Sequence, residues 1–205
     1  LPGCSKTAPP LATGPLTPNA WLTIAPDDTI TFLCDKSEMG QGVYTALPMM
    51  LAEELGVDVG RIKVEFAPPG DAFINTMIGG QVTGGSTSVR DTWPKLRKAG
   101  AQAREMLVAA AATEWGVAAA DCRVDNGTVV APDGKSLTFG ALAGAASKLP
   151  VPAEVKLKDA SAFTVIGKAR QRLDTPMKVD GTAQYGIDVR LPGMVYAALA
   201  QPPVL

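Results

Sequence analysis

The chain has 205 residues, 46% of them hydrophobic, and 19 basic against 20 acidic side chains, so it can bury a substantial core and carries no field that favours nucleic acid or an anionic membrane surface. It contains no histidine, which excludes within the chain a histidine-based hydrolase triad, an HExxH zinc site, a facial-triad iron site and a histidine general base. Cys4, Cys34 and Cys122 are far apart and lack CxxC spacing, so no zinc ribbon or iron–sulfur cluster is supported, and Cys34 and Cys122 read as small buried apolar residues.

Leu1-Pro2-Gly3-Cys4 has the outline of a lipoprotein cleavage box, although processing would remove the three residues before Cys4. The Pro/Thr/Gly-rich stretch to Pro18 reads as an extended linker over 1–18. Trp21-Leu22-Thr23-Ile24 and Thr29 to Cys34 are β-rich runs joined by the turn Ala25-Pro26-Asp27-Asp28, which predicts a hairpin. Its second strand leads into Ser37-Glu38-Met39-Gly40-Gln41-Gly42. Two glycines beside a glutamine let a flat polar ligand approach the backbone while Gln41 offers both donor and acceptor; a tight turn has the same need for glycine. Val43, Leu47, Met50, Leu51 and Leu55 then fall at helical spacing until Gly56, with Pro48 tolerable in the first turn or two.

Arg61 to Phe66 predicts a strand with Ile62, Val64 and Phe66 on one face. A long loop from Ala67 to about Ser88 ends in Gly79-Gly80-Gln81-Val82-Thr83-Gly84-Gly85-Ser86-Thr87-Ser88, whose glycines, hydroxyls and helix-start N–H groups suit a phosphate or carbonyl oxygen, while helix capping accounts for any single hydroxyl. The helix that follows carries an apolar stripe through Trp93, Leu96, Gly100, Ala103, Leu107 and Ala110. Arg90, Arg97 and Arg104 repeat every seven residues and read as a solvated face, with an anion-binding ridge as the alternative. Cys122 to Val130 predicts a hairpin about Asn126-Gly127, Pro132-Asp133-Gly134 a further turn, and Thr138 the cap of a helix from Phe139 to about Lys148. Pro150 and Pro152 open a charged connector, placing a domain boundary in 149–162. Beyond it, 164–168, 184–189 and 193–199 read as strands, the last without a partner.

Three ordered blocks carry a family resemblance: Glu38-Met39-Gly40-Gln41-Gly42; Gly79 to Val89; and Ile166-Gly167-Lys168, Arg172 to Pro176, Lys178-Val179-Asp180-Gly181, Tyr185 to Asp188 and Leu191 to Met194. From about Trp21 to its end the chain resembles the molybdenum-cofactor-binding large subunit of the xanthine dehydrogenase/aldehyde oxidase family, of the isoquinoline 1-oxidoreductase β-subunit type. The resemblance implies an α+β fold, with part of a molybdopterin-binding domain over 19–150 and the start of an α/β hammerhead domain over 163–205. It implies a molybdenum hydroxylase that inserts water-derived oxygen into aldehydes or N-heterocycles and passes electrons to a [2Fe-2S] subunit, with a cytochrome c as a candidate acceptor.

By the same resemblance Gln41, flanked by Gly40 and Gly42, contacts the pterin, while Thr83, Gly84, Gly85, Ser86 and Thr87 line the same cofactor, in bacteria usually the molybdopterin cytosine dinucleotide. The family's general base is a glutamate with no counterpart here, and Glu38 does not take that role. The expectation is therefore an N-terminal piece, completed by the remainder of the large subunit, from a periplasmic enzyme whose leader is not in this chain. Two rivals remain: a non-catalytic binding or assembly module, and a nucleotide-phosphate enzyme, which the absence of GxxxxGK disfavours.

Overall fold

A computed structural model describes residues 13–201, so the Cys4 box and most of the expected linker lie outside the described residues. The first strand, β1 (Leu16–Asn19), nevertheless begins inside that linker: Leu16 pairs with Ile24 and is buried. Pro18 is accommodated because β1 is an edge strand, where a missing N–H removes no ladder bond. β2 (Leu22–Ile24) and β3 (Ile30–Cys34) form the expected hairpin.

From β3 the chain crosses through α1 (Val43–Leu55) to β4 (Ile62–Phe66), which lies parallel to β3, giving a sheet of order β1-β2-β3-β4. Gly56 ends α1 at φ 80°, the left-handed C-terminal conformation that glycine adopts without a Cβ clash. Ile62 and Val64 face the core as expected, but Phe66 is 61% exposed and lies beside the Tyr44 ring, with centroids 5.7 Å apart.

The 28-residue α2 (Ser88–Trp115) packs along α1. The approach is close at Gly100, where a Cβ would meet the Leu51 carbonyl oxygen at 2.5 Å. A smaller antiparallel sheet, β5 (Arg123–Asp125), β6 (Thr128–Val130) and β7 (Ser136–Thr138), turns at Asn126 and Gly127, both at positive φ. Thr138 accepts the Ala141 N–H at 3.2 Å and caps α3 (Phe139–Ala146). Cys34 is buried and Cys122 partly so; burial pushes the Cys34 thiol up to about 11.

The stretch 149–162, expected as an inter-domain connector, is fastened to this first unit, which continues to Leu173. Two adjacent buried carboxylates on α1 fasten it. Glu54 receives Arg97 and Arg104 from α2 and the Lys158 N–H. Glu53 accepts the N–H groups of Thr164, Val165 and Ile166 at 2.9, 2.7 and 3.0 Å, and the Lys158 ammonium at 3.0 Å. This corrects two expectations. Arg97 and Arg104 do not form a solvated face, because Glu54 draws them inward, and the Arg97 guanidinium lies 5.1 Å from the ring centres of both Trp93 and Phe163. Residues 164–166 form no strand, because their N–H groups are spent on Glu53 rather than on a ladder.

The second unit, from Asp174, contains α4 (Thr175–Val179), with Pro176 in its first turn and Lys178 paired with Asp174, and a 3-10 turn at Gly186–Asp188. The strands expected at 184–189 and 193–199 are not formed among the described residues. A strand needs a neighbouring ladder, and here Ile187, Val195 and Leu199 are 84, 84 and 85% exposed.

Burial alone pushes the Glu53 carboxyl up, but the Val165 and Ile166 N–H groups and Lys158 outweigh it and hold the group below the usual glutamate value of 4.5. Its stabilisation is therefore fully present above that value and is lost as pH falls through the lower folded one. Glu53→Ala, which strands Lys158 and three N–H groups, is expected to cost about 3–5 kcal/mol in urea unfolding at neutral pH. In Glu53→Gln the part of the acid-induced stability loss due to this group should disappear.

Candidate functional site

The loop between β3 and α1 is shaped from within. Gly40 and Gly42 sit at φ 102° and 90°, conformations that glycine alone adopts readily. The Glu38 carboxylate folds over the start of α1: Oε1 accepts the Gly40 and Gly42 N–H groups at 2.7 and 3.0 Å, and Oε2 accepts the Tyr44 N–H at 2.9 Å. Arg172 donates to Glu38 Oε1 at 3.1 Å and to the Gly40 carbonyl at 2.9 Å. Burial raises the Glu38 carboxyl, but the three N–H groups and Arg172 prevail and hold it below its ordinary value. Gln41 Oε1 accepts the Met39 N–H at 2.6 Å, and Nε2 donates to the Ser37 carbonyl at 2.7 Å. A primary amide has two donors and two lone pairs, so the exposed Gln41 keeps one of each for a ligand.

The 71–88 loop is organised by buried polar groups. Asn75, fully buried, donates to Thr87 Oγ1 at 2.7 Å and accepts the Met77 N–H at 3.0 Å. Thr87 in turn donates to the Gly84 carbonyl at 2.7 Å, so it is turned inward and supports the loop instead of facing solvent. Asp91, in the first turn of α2, accepts the Thr76 N–H and hydroxyl at 3.0 and 2.7 Å, and Lys95 at 2.8 Å. Gly85 and Ser86, both at positive φ, form the exposed bend ahead of α2.

The two loops meet. Thr83 Oγ1 accepts the Ser37 N–H at 2.8 Å. Beneath them Lys36, with its side chain fully buried, lies 2.7 Å from Asp35 and 3.9 Å from Asp91. Beside the Ser37–Thr83 bond opens a cleft of about 430 Å³, lined by Cys34 to Ser37, Phe66, Gln81 and Thr83 among others. Of the residues predicted from sequence, Gly40, Gln41 and Gly42 form one loop, Thr83 bonds to its root, Gly84, Gly85 and Ser86 lie on the neighbouring loop, and Thr87 points into the protein. Sequence reasoning missed Asp35, Lys36, Asn75, Asp91 and Arg172, and it gave Glu38 no task. A charged Asp35-Lys36 pair directly after an apolar strand was a legible signal of a buried pair; nothing local signals the contact of Arg172 with residues more than 130 positions earlier.

This βαβ-bearing α+β unit with two convergent glycine loops has the features of a ligand-binding domain, and comparison with known proteins gives its class. Residues 3–189 match the molybdopterin cofactor-binding domain family, and the chain belongs to that family. It is 33% identical, over 92% of its own length and 29% of the relative's, to the isoquinoline 1-oxidoreductase subunit beta of Brevundimonas diminuta. It is 36% identical, over 93% of its length and 25% of the relative's, to a membrane-bound aldehyde dehydrogenase of Gluconacetobacter polyoxogenes whose name specifies pyrroloquinoline quinone. Among solved structures, quinoline 2-oxidoreductase from Pseudomonas putida 86 aligns at 23% identity and a TM-score of 0.46, covering 60% of this chain and 15% of that one. The chain thus spans less than a third of the curated relatives it matches.

Removing the Glu38 carboxylate leaves three N–H groups and Arg172 without it, so Glu38→Ala should destabilise the first unit by about 1–3 kcal/mol. Amide hydrogen exchange should accelerate at Gly40, Gly42 and Tyr44 before the rest of α1. Unchanged exchange at those three amides would show that the carboxylate does not organise the loop.

Proposed function

We propose that this chain supplies part of the molybdenum-cofactor grip in the large subunit of a molybdenum hydroxylase acting on aldehydes or N-heterocycles. The observation that carries the proposal is the direct junction of the two glycine loops at Ser37 and Thr83, with Gln41 exposed on one side and, on the other, a half-buried Gly84 followed by exposed Gly85 and Ser86. When bound, the cofactor would supply the oxygen-transfer and two-electron chemistry; the residues here bind and orient it.

The glycine inventory fits such a group. At Gly84 a Cβ would meet nothing within 4 Å among the described residues, and the residue is not in the left-handed region, so neither the packing of those residues nor the backbone conformation demands a glycine there. A bare backbone that the fold does not need is available to a ligand in close approach. Gln41 can hold a polar ring edge through its remaining N–H and lone pair, and Thr83 positions that loop through its hydroxyl. No side chain of Thr87 caps the start of α2, whose N–H groups and dipole favour an anion. That supports the cytosine dinucleotide form, with its pyrophosphate at the helix start.

The same reading includes the remainder of the large subunit, a [2Fe-2S] subunit with a cytochrome c acceptor, and a periplasmic location. The family resemblance supports these, and relatives named as subunits support only the presence of further subunits. No residue of this chain is assigned as the general base.

Metal and cofactor analysis of the complete purified protein tests the proposal: molybdenum with an extractable pterin is the expected result. Pyrroloquinoline quinone without molybdenum would instead match the name of the Gluconacetobacter relative. Absence of both would leave a non-catalytic module. Gly84→Ala should leave the melting temperature within a degree or two yet lower molybdenum occupancy roughly tenfold, the equivalent of one lost close contact. Gln41→Ala should lower occupancy or activity in the same assay, and unchanged metal content and rate in both variants would overturn the assignment.

A further inference from the structure

The peptide between Gly40 and Gln41 is held by one edge. Its carbonyl accepts Arg172 Nη1 at 2.9 Å, while the other branch of the same guanidinium, Nη2, donates to Glu38 Oε1 at 3.1 Å. The N–H groups on either side, of Gly40 and Gly42, both go to Glu38 Oε1. The N–H between them, that of Gln41, finds no acceptor among the described residues, and Gln41 is exposed. The Gln41 side chain is partly spent on its own loop, on the Met39 N–H and the Ser37 carbonyl, so the backbone N–H is the donor group that the loop leaves untouched. In a trans peptide the carbonyl and the N–H point in opposite directions, so an arginine that takes the Gly40 carbonyl aims the Gln41 N–H away from itself.

We propose that Arg172 is a positioning residue, which holds this peptide in the orientation that presents the Gln41 backbone N–H to a neutral acceptor atom of the bound cofactor. The peptide needs holding. Gly40, at φ 102°, has no Cβ to resist rotation of the peptide plane, and the opposite orientation asks Gln41 for a positive φ, which a residue other than glycine resists only modestly. In that opposite orientation an acceptor would stand where the donor stands now. Glu38 cannot prevent this, because an ionised carboxylate only accepts hydrogen bonds and has no means of gripping a carbonyl. Arginine can, and its planar fork reaches the carbonyl and the carboxylate at once from two nitrogens, whereas the compact ammonium of lysine would be claimed by the carboxylate. The acceptor is neutral because an anion beside this loop would be repelled by Glu38.

The inference rests on the cofactor reading above and deepens it. The test is amide hydrogen exchange resolved to single residues, on the complete protein purified with its cofactor and on the same protein made in cells that produce no molybdopterin. Loading should slow exchange of the Gln41 amide at least about tenfold. Arg172→Lys keeps a positive charge beside Glu38 but cannot serve both acceptors, and should lower molybdenum and pterin occupancy several-fold. In the cofactor-free form of that variant the Gly40, Gly42 and Tyr44 amides, still held by Glu38, should exchange as in the unsubstituted protein. A merely structural ion pair predicts otherwise: lysine would restore occupancy, or its failure would come with faster exchange at those same amides.

A Gln41 amide that exchanges equally fast with and without cofactor, full occupancy in Arg172→Lys, or faster exchange at Gly40, Gly42 and Tyr44 in that variant would overturn the inference. Such a result from a protein whose complete form carries molybdenum and pterin overturns this inference alone, whereas a complete form lacking both overturns the cofactor reading itself.

Discussion

The first unit depends on two carboxylates buried side by side on one helix. Consecutive helical residues point about 100° apart, so Glu53 and Glu54 reach different neighbours from a single turn of α1. Glu54 takes the guanidinium groups of Arg97 and Arg104 and so locks α1 to α2. Glu53 takes three successive N–H groups and Lys158 and so ties down the returning chain. Burying such charges is tolerable because every one has a partner of opposite charge or a directed donor; an apolar pair here would pack but could not seize a backbone.

The consequence reaches the candidate site. With 164–166 fastened, the chain runs back along α1: the Leu173 N–H donates to Thr45 Oγ1 at 3.0 Å, and Arg172 arrives at Glu38 and the Gly40 carbonyl. The glycine loop is therefore shaped from both ends, by Glu38 from within and by Arg172 from a segment that Glu53, with the Arg170–Asp58 pair, helps to hold near. A long-range ion pair at one end of α1 and a loop conformation at the other are parts of one arrangement.

Local features of this arrangement were legible in the sequence. The Pro26–Asp28 turn, the end of α1 at Gly56, the Asn126–Gly127 hairpin and the Thr138 cap each depend on a few adjacent residues, and each appears where its chemistry demands. Features set by distant partners were not. A seven-residue arginine repeat looks the same whether water or a buried glutamate lies opposite, and Glu54 is more than 40 positions from Arg97. The run 164–166 has strand composition, yet its N–H groups go to a carboxylate about 110 positions earlier. At the site, glycine spacing pointed to two loops, which the structure joins through the Ser37–Thr83 bond, but it could not separate Thr83, which joins the loops, from Thr87, which props one of them from inside.

That separation also decides what each loop can offer a ligand. A helix start with unspent N–H groups attracts anions, and both α1 and α2 begin at a glycine-containing loop. At α1, Glu38 already occupies that role, so a second anion there would meet a carboxylate. At α2, Thr87 spends its hydroxyl on Gly84 and Asn75 and leaves the first turn without a side-chain cap. The two helix starts thus differ: Glu38 covers the first N–H groups of α1, whereas Asp91 in the first turn of α2 is spent on Thr76 and Lys95, so under the proposed function an anionic group is favoured at the start of α2 and a neutral polar edge at Gln41. A ligand with an anionic group at one end and a polar ring edge at the other is the kind this difference selects, and a simple phosphate ester would satisfy only one part of it.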